Sequence, residues 1–223
     1  MLCINNIPLL SNLTNEEIEK VSIGVSSETY KKGESVFKQG EKANKLYIVC
    51  SGKIKIFKNT IEGKEQILYI LSEGDFIGAF NLLKEDEFDF NAVALENTTV
   101  SMLEKSSFDQ IVLSNPSITL KIFEKAYERI IKAESLVERL SSSNPDAKVI
   151  GLLVDLCENF GTQTEDGILL TLSINREEMG SYAGIARETM SRKLGLFQEM
   201  GLIQLIGMKK ILIYDVVKLK SMI

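Results

Sequence analysis

Four polar side chains near residue 190 have the types and spacing that suit contact with nucleic-acid bases. They occupy helix positions i, i+1, i+4 and i+5, which share one face: Arg187, Glu188, Ser191 and Arg192. Arg can donate two hydrogen bonds to guanine, Glu can accept one from cytosine, and Ser adapts to several base edges. On an isolated helix, an exposed face with a Glu188 to Arg192 ion pair would be the favoured interpretation. The elements that carry this face decide between the two.

The surrounding sequence predicts two short helices joined by a tight turn. Asn175, with Glu178 three residues later, forms a capping box that begins a helix ending near Tyr182. Ala183-Gly184 breaks this helix, and a second one runs from Ala186 to Met200, ending before a glycine. Its apolar residues recur at spacings of four, four and three and should face the domain core: Ala186, Met190, Leu194 and Phe197.

A hairpin is predicted directly after the second helix. Two apolar runs, Leu202 to Ile206 and Ile211 to Tyr214, flank a turn that contains Lys209 and Lys210. Two helices with a glycine-containing turn and a basic-tipped hairpin form a winged helix-turn-helix, whose second helix enters the DNA major groove. This context favours base contact over the ion pair.

The charge distribution bears on this expectation. The chain has 223 residues and a net charge of -5, which argues against a general affinity for phosphate. From residue 186 to residue 220, however, there are seven basic and three acidic side chains. The acidity therefore argues only against indiscriminate DNA binding.

The middle of the chain predicts one long helix, from Pro116 to Leu140, that begins at the cap signal Asn115-Pro116. Spacings of three and four give an apolar heptad stripe: Phe123, Ala126, Ile130, Ala133, Val137 and Leu140. A helix of this length spans nearly ~40 Å, more than a small barrel covers, which favours a coiled-coil homodimer over packing on the same chain's sheet. Off-stripe residues are expected to face the barrel: Ile122, Tyr127 and Ile131.

The first half of the chain predicts a β-barrel or roll. From about Tyr30 to Leu103, short strands with alternating apolar residues are separated by recurrent glycines. Thr14 and Glu17 form a capping box for a short preceding helix. After the long helix, Ser141 to Ser143 is a candidate hinge, and Asn144-Pro145 begins the last domain.

Composition excludes several function classes. The chain has no histidine, which removes Ser-His-Asp triads and His-ligated zinc, and it has no P-loop, so an enzyme is not expected. Three widely spaced cysteines provide neither a disulfide framework nor a zinc site, and Cys50 and Cys157 are expected as small buried hydrophobes, with redox sensing as the lesser alternative. No apolar run approaches ~18 residues and no secretory leader is visible, so a cytoplasmic location is expected.

Three segments resemble the Crp/Fnr family of bacterial transcription regulators. The segment from Gly33 to Glu41, with Gly52 and then Gly74 to Gly78, is similar to the family's effector-sensing domain. The long helix resembles its dimerisation helix, and Arg187-Glu188-Thr189-Met190-Ser191-Arg192 resembles its recognition helix. The resemblance implies an α+β chain with three parts: a cyclic-nucleotide-binding-like β-roll over residues 1–115, a dimerisation helix and hinge over 116–143, and a winged helix-turn-helix over 144–223.

The resemblance also implies a function: a homodimer that binds a near-palindromic operator and recruits or blocks RNA polymerase. Arg187, Glu188 and Arg192 would then read the bases of each half-site, and TGTGA-like and TTGAT-like half-sites both remain open. Ala186 departs from the serine common at that place in the family, which predicts a weaker helix cap.

Departures from the family pattern limit the effector. Ala79 stands where cyclic-nucleotide-binding members have a glutamate, and Phe90-Asn91 stands where they have the Arg-Ser pair, which argues against cyclic AMP. An iron-sulfur cluster needs about four ligands, more than these cysteines supply. Haem stays open through axial ligands other than histidine, and the cofactor is unknown.

An unidentified small molecule in a more apolar cavity is the remaining hypothesis for the effector, and ordinary core packing is its alternative. The candidate residues are Gly78, Ala79, Phe80, Phe90 and Asn91. We expect a sensor in which ligand or redox state changes the packing of the long helices and so the separation of the recognition helices. The alternative function is a ligand-binding module whose winged helix contacts proteins.

Overall fold

The computed structural model of the chain describes residues 24–222, so the predicted capping box at Thr14 and Glu17 lies outside the described residues. The described chain divides into two compact units. The first unit comprises the described residues up to Lys58 together with Leu68–Lys132. The second comprises Asn59–Ile67 and the described residues from Ala133 onward. The long helix contributes residues to both. The functional division at residues 115/116 and 143/144 remains a prediction.

The β-rich part of the first unit is built from two four-stranded sheets, with the strand orders β1-β8-β3-β6 and β2-β7-β4-β5. The strands are β1 Val25–Tyr30, β2 Ser35–Phe37, β3 Lys45–Ser51, β4 Ile54–Asn59, β5 Glu65–Leu71, β6 Phe76–Ile77, β7 Asn91–Ala94 and β8 Thr98–Glu104. One core contains buried residues from both sheets, among them Phe37, Ile56 and Val100. This confirms the predicted roll.

Three helices accompany the roll: α1 Ala79–Lys84, α2 Lys105–Ser114 and α3 Pro116–Ser141. A second core joins them to β3 and β6 and contains Leu46, Phe76, Leu82, Phe108 and Ile122. The predicted long helix is therefore confirmed as α3, and Ile122 packs with the roll as expected. The prediction that Tyr127 and Ile131 also face the roll is wrong, since both are exposed.

The second unit holds the remaining elements. They are α4 Pro145–Phe160, β9 Gly161–Thr164, β10 Gly167–Thr171, α5 Arg176–Ala183, α6 Arg187–Glu199, β11 Ile203–Ile206, β12 Lys210–Ile213 and α7 Val216–Lys220. The strands form an antiparallel sheet in the order β11-β12-β10-β9. The Asn144 side chain accepts a hydrogen bond from Asp146 N, and Pro145 follows it, so the predicted cap of α4 is confirmed.

The cysteines differ from the prediction in one respect. Cys157 on α4 is a buried free thiol, as expected, and burial raises its pKa to about 11. Cys50 on β3 is half-buried and disulfide-bonded, so its interpretation as a simple core hydrophobe is wrong. The three cysteines are widely spaced in the sequence, which gave no pairing signal.

Residues 24–222 contain neither a candidate membrane-spanning helix nor a cluster of metal ligands. No helix there is long and apolar enough to span a bilayer. In the same range, no three or more Cys, Asp or Glu side chains come together as metal ligands.

Candidate nucleic-acid interface

The start of α5 is fixed by its own side chains. The Asn175 side-chain oxygen accepts hydrogen bonds from Glu177 N at 2.9 Å and Glu178 N at 3.0 Å, while Asn175 N donates to the Glu178 carboxylate at 2.9 Å. This reciprocal arrangement is the predicted capping box. Its effect is to set where the first helix of the pair begins.

The turn between α5 and α6 depends on two glycines. Gly184 ends α5 with φ 68°, a left-handed conformation that favours glycine. A Cβ at Gly180 would lie 2.7 Å from the Ile185 carbonyl oxygen, so this position needs a glycine for close packing. Ala186 then begins α6 without a side-chain cap, as its departure from serine predicted.

Helix α6 has a buried and an exposed face. Met190, Leu194 and Phe197 are buried, whereas Ala186 is exposed. The prediction that Ala186 belongs to the core stripe is therefore wrong, because it lies at the N-cap, outside the helical periodicity. The polar residues occupy the other face, where four are exposed and Thr189 is half-buried: Arg187, Glu188, Ser191 and Arg192.

The basic side chains of α6 differ in whether they form an ion pair within the described residues. Within residues 24–222, neither Arg187 nor Arg192 takes part in an ion pair, and Glu188 does not pair with Arg192. Lys193 instead contacts Asp146, in the first turn of α4, with Nζ 2.7 Å from the carboxylate. A carboxylate near a helix N-terminus is itself favoured by the helix dipole. Lys193 thus links α6 to α4, a role that the sequence did not reveal.

The wing is the β11–β12 hairpin. Its turn contains Gly207 with φ 60°, and Lys209 and Lys210 are exposed there. The Lys209 carbonyl accepts a hydrogen bond from Leu172 N at 2.7 Å, and Lys210 pairs with Thr171 of β10. The backbone of the wing is therefore hydrogen-bonded to the sheet, while both lysines are exposed.

An apolar stripe on α3 is exposed. Leu120, Phe123, Tyr127, Ile130 and Val137 recur at spacings of three, four, three and seven, with exposed fractions from 55% to 65%. Of the predicted dimerisation residues, Phe123, Ile130 and Val137 belong to this stripe. Ala133 is also exposed, while Ala126 and Leu140 are half-buried.

The proposed effector residues fall into two separate clusters. Ala79 and Phe80, at the start of α1, pack in the core cluster that also contains buried residues of α2 and α3. Phe90 packs with Phe37 and Phe88, whose rings stack at 3.8 Å between centroids. Gly78 caps α1, and Asn91 accepts a hydrogen bond from Gln39 N at 3.1 Å. The structure does not bring Phe80 and Phe90 into one core cluster, an arrangement that agrees with core packing.

Two cations on α3, which sequence reasoning missed, contact the segment Gly74 to Gly78. Lys125 Nζ lies 3.6 Å from the Asp75 carboxylate, and the Arg129 guanidinium donates to the Phe76 carbonyl. Burial opposes the charge of Lys125, but Glu128 and Asp75 outweigh it and raise its pKa. Arg129 also lies 5.6 Å from the centre of the Tyr69 ring. These two contacts connect α3 with the loop that precedes α1.

Comparisons with known proteins agree with this architecture. Residues 27–115 match the cyclic nucleotide-binding domain family, and residues 147–222 match the Crp-like helix-turn-helix domain family. Electron transport regulator A of Shewanella oneidensis is 31% identical over 184 residues, which are 82% of this chain and 73% of that protein. The chain belongs to the Crp/Fnr family of transcription regulators. It is therefore a DNA-binding regulator of a family whose members dimerise, and not an enzyme.

Two further comparisons cover most of the chain. The cyclic AMP receptor protein of Thermus thermophilus is 28% identical over 198 residues, 89% of this chain and 88% of that one. A CooA mutant from Carboxydothermus hydrogenoformans has the same fold, with a TM-score of 0.80 at 22% identity over 99% of this chain and 94% of that one.

Proposed function

We propose that the chain acts in the cytoplasm as a homodimer on a near-palindromic operator, under the control of a small-molecule or redox signal. In each half-site, Arg187, Glu188 and Arg192 contact base edges, while Ser191 contacts a base or a phosphate. Thr189 supports this face, and Lys209 and Lys210 of the wing neutralise phosphates. A DNA-bound dimer then recruits or blocks RNA polymerase.

The exposed polar face of α6 is the observation that carries this proposal. The apolar side of the helix is completely buried, so the helix cannot rotate without exposing Met190, Leu194 and Phe197. Arg187 and Arg192 are exposed, with no ion pair to any residue from 24 to 222. Arg is suited to bidentate contact with guanine, which specifies sequence as well as adding charge.

A homodimer through α3 is supported by the exposed apolar stripe. The large apolar side chains of Phe123 and Tyr127 in this stripe are each about two thirds exposed. A second copy of the same helix offers a matching stripe with heptad spacing, so the two helices can bury each other's apolar residues. Dimerisation also places two recognition helices on one duplex, as a palindromic operator requires.

The nature of the signal is argued from the missing anion-binding groups. Ala79 is buried at the start of α1, and Phe90 lies in an aromatic cluster, so neither position offers a charge to a phosphate. Cyclic AMP would lose its main charge-assisted hydrogen bonds at these positions. A less polar small molecule or a redox change, communicated through the Gly74 to Gly78 loop to Lys125 and Arg129, fits the residues better.

A gel-shift titration with a random duplex at low salt tests the DNA-binding proposal. The purified full-length chain should retard the duplex at low salt, and the affinity should fall as salt rises, because phosphate contacts release counterions. No retardation at any salt, with or without a metabolite extract, would overturn the proposal and favour protein contact by the winged domain.

A further inference from the structure

The end of α3 is joined to the helix-turn-helix by side chains that the recognition face does not use. Arg139 lies in the last turn of α3, and its guanidinium carbon is 4.8 Å from the centre of the Tyr182 ring. Tyr182 belongs to α5 and is only 5% exposed. A cation over an aromatic face is attracted more strongly where water is excluded. We call this contact between Arg139 of α3 and Tyr182 of α5 the joint.

A third side chain completes this joint. The charges of the Asp155 carboxylate of α4 and of the Arg139 guanidinium both act on the Tyr182 hydroxyl. Burial raises the pKa of Tyr182, Asp155 adds to this effect, and Arg139 opposes it, so the phenol keeps its proton. The stem of Arg139 also packs on α4, where a Cβ at Gly151 would lie 3.6 Å from Arg139 Cδ. Arg139 therefore contacts both α4 and α5.

A second link runs in parallel through the backbone. Lys148 of α4 donates to the carbonyl of Leu140, at the end of α3, at 3.0 Å, and to the carbonyl of Gly184, in the turn before α6, at 3.4 Å. The Leu140 side chain packs against Gly184 so closely that a Cβ there would overlap it. One ammonium group thus connects the last residues of α3 with the turn that orients α6.

We propose that Arg139, acting on Tyr182, is a positioning residue that makes the end of α3 and the helix-turn-helix one rigid body. This inference rests on the proposed homodimeric function. In a dimer held together by α3, a rigid joint fixes the separation of the two recognition helices, which must enter successive major grooves. With a loose joint, each α6 would still fit its half-site, but the dimer would no longer select operators by their spacing.

The test compares operators of different spacing. A duplex selected from random sequence by the wild-type chain is prepared with its centre unchanged, lengthened by one base pair, or cut to a single half-site. Fluorescence anisotropy gives the affinity of the wild-type chain, Arg139→Met, Arg139→Lys and Tyr182→Phe for each duplex. Ser135→Ala, at an exposed position of α3 outside the candidate hinge, is the matched control, and thermal unfolding monitors folding of every variant.

The proposal predicts that Arg139→Met loses selectivity for the spacing between half-sites but still binds a single half-site. Arg139→Met, which keeps the stem but loses the charge, should weaken binding to the selected operator about tenfold and reduce the penalty for the inserted base pair, because its joint is loose. Its affinity for the single half-site should stay within about twofold of wild type, and Arg139→Lys should restore most of the spacing preference. Tyr182→Phe keeps the ring and should give a smaller effect in the same direction.

Two outcomes would overturn the inference. One is wild-type binding by Arg139→Met and Tyr182→Phe at every spacing. The other is an equal loss on the half-site and on the full operator, which would mean that Arg139 supports the recognition helix itself. A wild-type chain that binds no duplex at all would instead overturn the proposed function, so the two failures are distinguishable.

Discussion

At the residue scale, Arg192 and Lys193 show how neighbouring cations acquire different roles. Arg192 is exposed and forms no ion pair with the described residues, whereas Lys193 is half-buried against Asp146. The sequence counts both as positive charge available to DNA. The structure leaves Arg192 available to DNA and assigns Lys193 to the contact between α6 and α4, since the helix turns the two side chains about 100° apart.

Arg192→Ala is expected to relax base discrimination. If Arg192 donates to one guanine, its loss should cost about 1 to 3 kcal/mol with the correct base pair and almost nothing when that pair is changed. The measurement is a set of dissociation constants for operators substituted one base pair at a time. Lys209→Ala is the control, and it should weaken binding to all sequences and reduce the salt slope by about 1. An equal loss for all sequences would identify Arg192 as a phosphate contact.

Cys157 is expected to be unreactive near neutral pH. Its pKa is raised to about 11, mainly by burial, and the thiolate is the reactive form. Alkylation with iodoacetamide, followed by mass spectrometry of the peptide that contains Cys157, should show slow labelling at pH 8 and rapid labelling once the chain is unfolded in urea. Rapid labelling of the folded chain at pH 8 would contradict the buried placement of this thiol.

At the element scale, the success of sequence reasoning depended on how local the signal was. The caps at Asn144 and Asn175 were predictable because their hydrogen bonds join residues two or three positions apart. The helices α1 and α2 were missed because each begins without a side-chain cap, α1 after Gly78 and α2 directly after β8. Local patterns offer no start signal for such elements.

In the candidate site too, local features could be predicted from the sequence and long-range contacts could not. The polar face of α6 could be predicted because helical periodicity places residues 187 to 192. The contact between Arg139 and Tyr182 could not, since 43 positions separate the two residues and only tertiary packing brings them together. Phe80 and Phe90 are the opposite case, because they are near in sequence but belong to different core clusters.

Gly184→Ala is expected to destabilise the helix-turn-helix. The left-handed conformation costs a residue with a Cβ about 1 to 2 kcal/mol, and overlap with Leu140 adds to this. The thermal midpoint of the full chain should therefore fall by several degrees. Gly195→Ala is the matched control: its Cβ would meet nothing within 4 Å, so it should stabilise α6 by about 0.5 to 1 kcal/mol. A Gly184→Ala chain as stable as wild type would contradict the described turn.

At the scale of the whole molecule, the net charge of -5 and a DNA-binding function are compatible because the charge is unevenly distributed. Seven basic residues lie between positions 186 and 220, although Lys193 and Lys220 form ion pairs with Asp146 and Glu158. Few cations therefore remain for phosphate. Specific binding by such a chain must depend on base contacts and on two copies acting together.

Phe123→Glu is expected to break the dimer. A carboxylate in the middle of the apolar stripe would have to be buried against a second helix, which costs several kcal/mol unless the charge is paired. Sedimentation velocity should show wild type as a dimer and Phe123→Glu as a monomer with much weaker operator binding. Ser135→Glu adds the same charge at an exposed position off the stripe and should stay dimeric. A dimeric Phe123→Glu would place the interface elsewhere.

The central claim is sequence-specific DNA binding by a two-fold symmetric dimer, and in vitro selection from random duplexes tests it most directly. Full-length protein, with metabolite extract added in a parallel reaction, should enrich an inverted repeat whose half-site centres lie about one helical turn, roughly 10 base pairs, apart. The half-site should contain the guanine read by Arg192, so Arg192→Ala should lose preference at that base pair alone. Enrichment of no motif, or of one unpaired half-site only, would contradict the account.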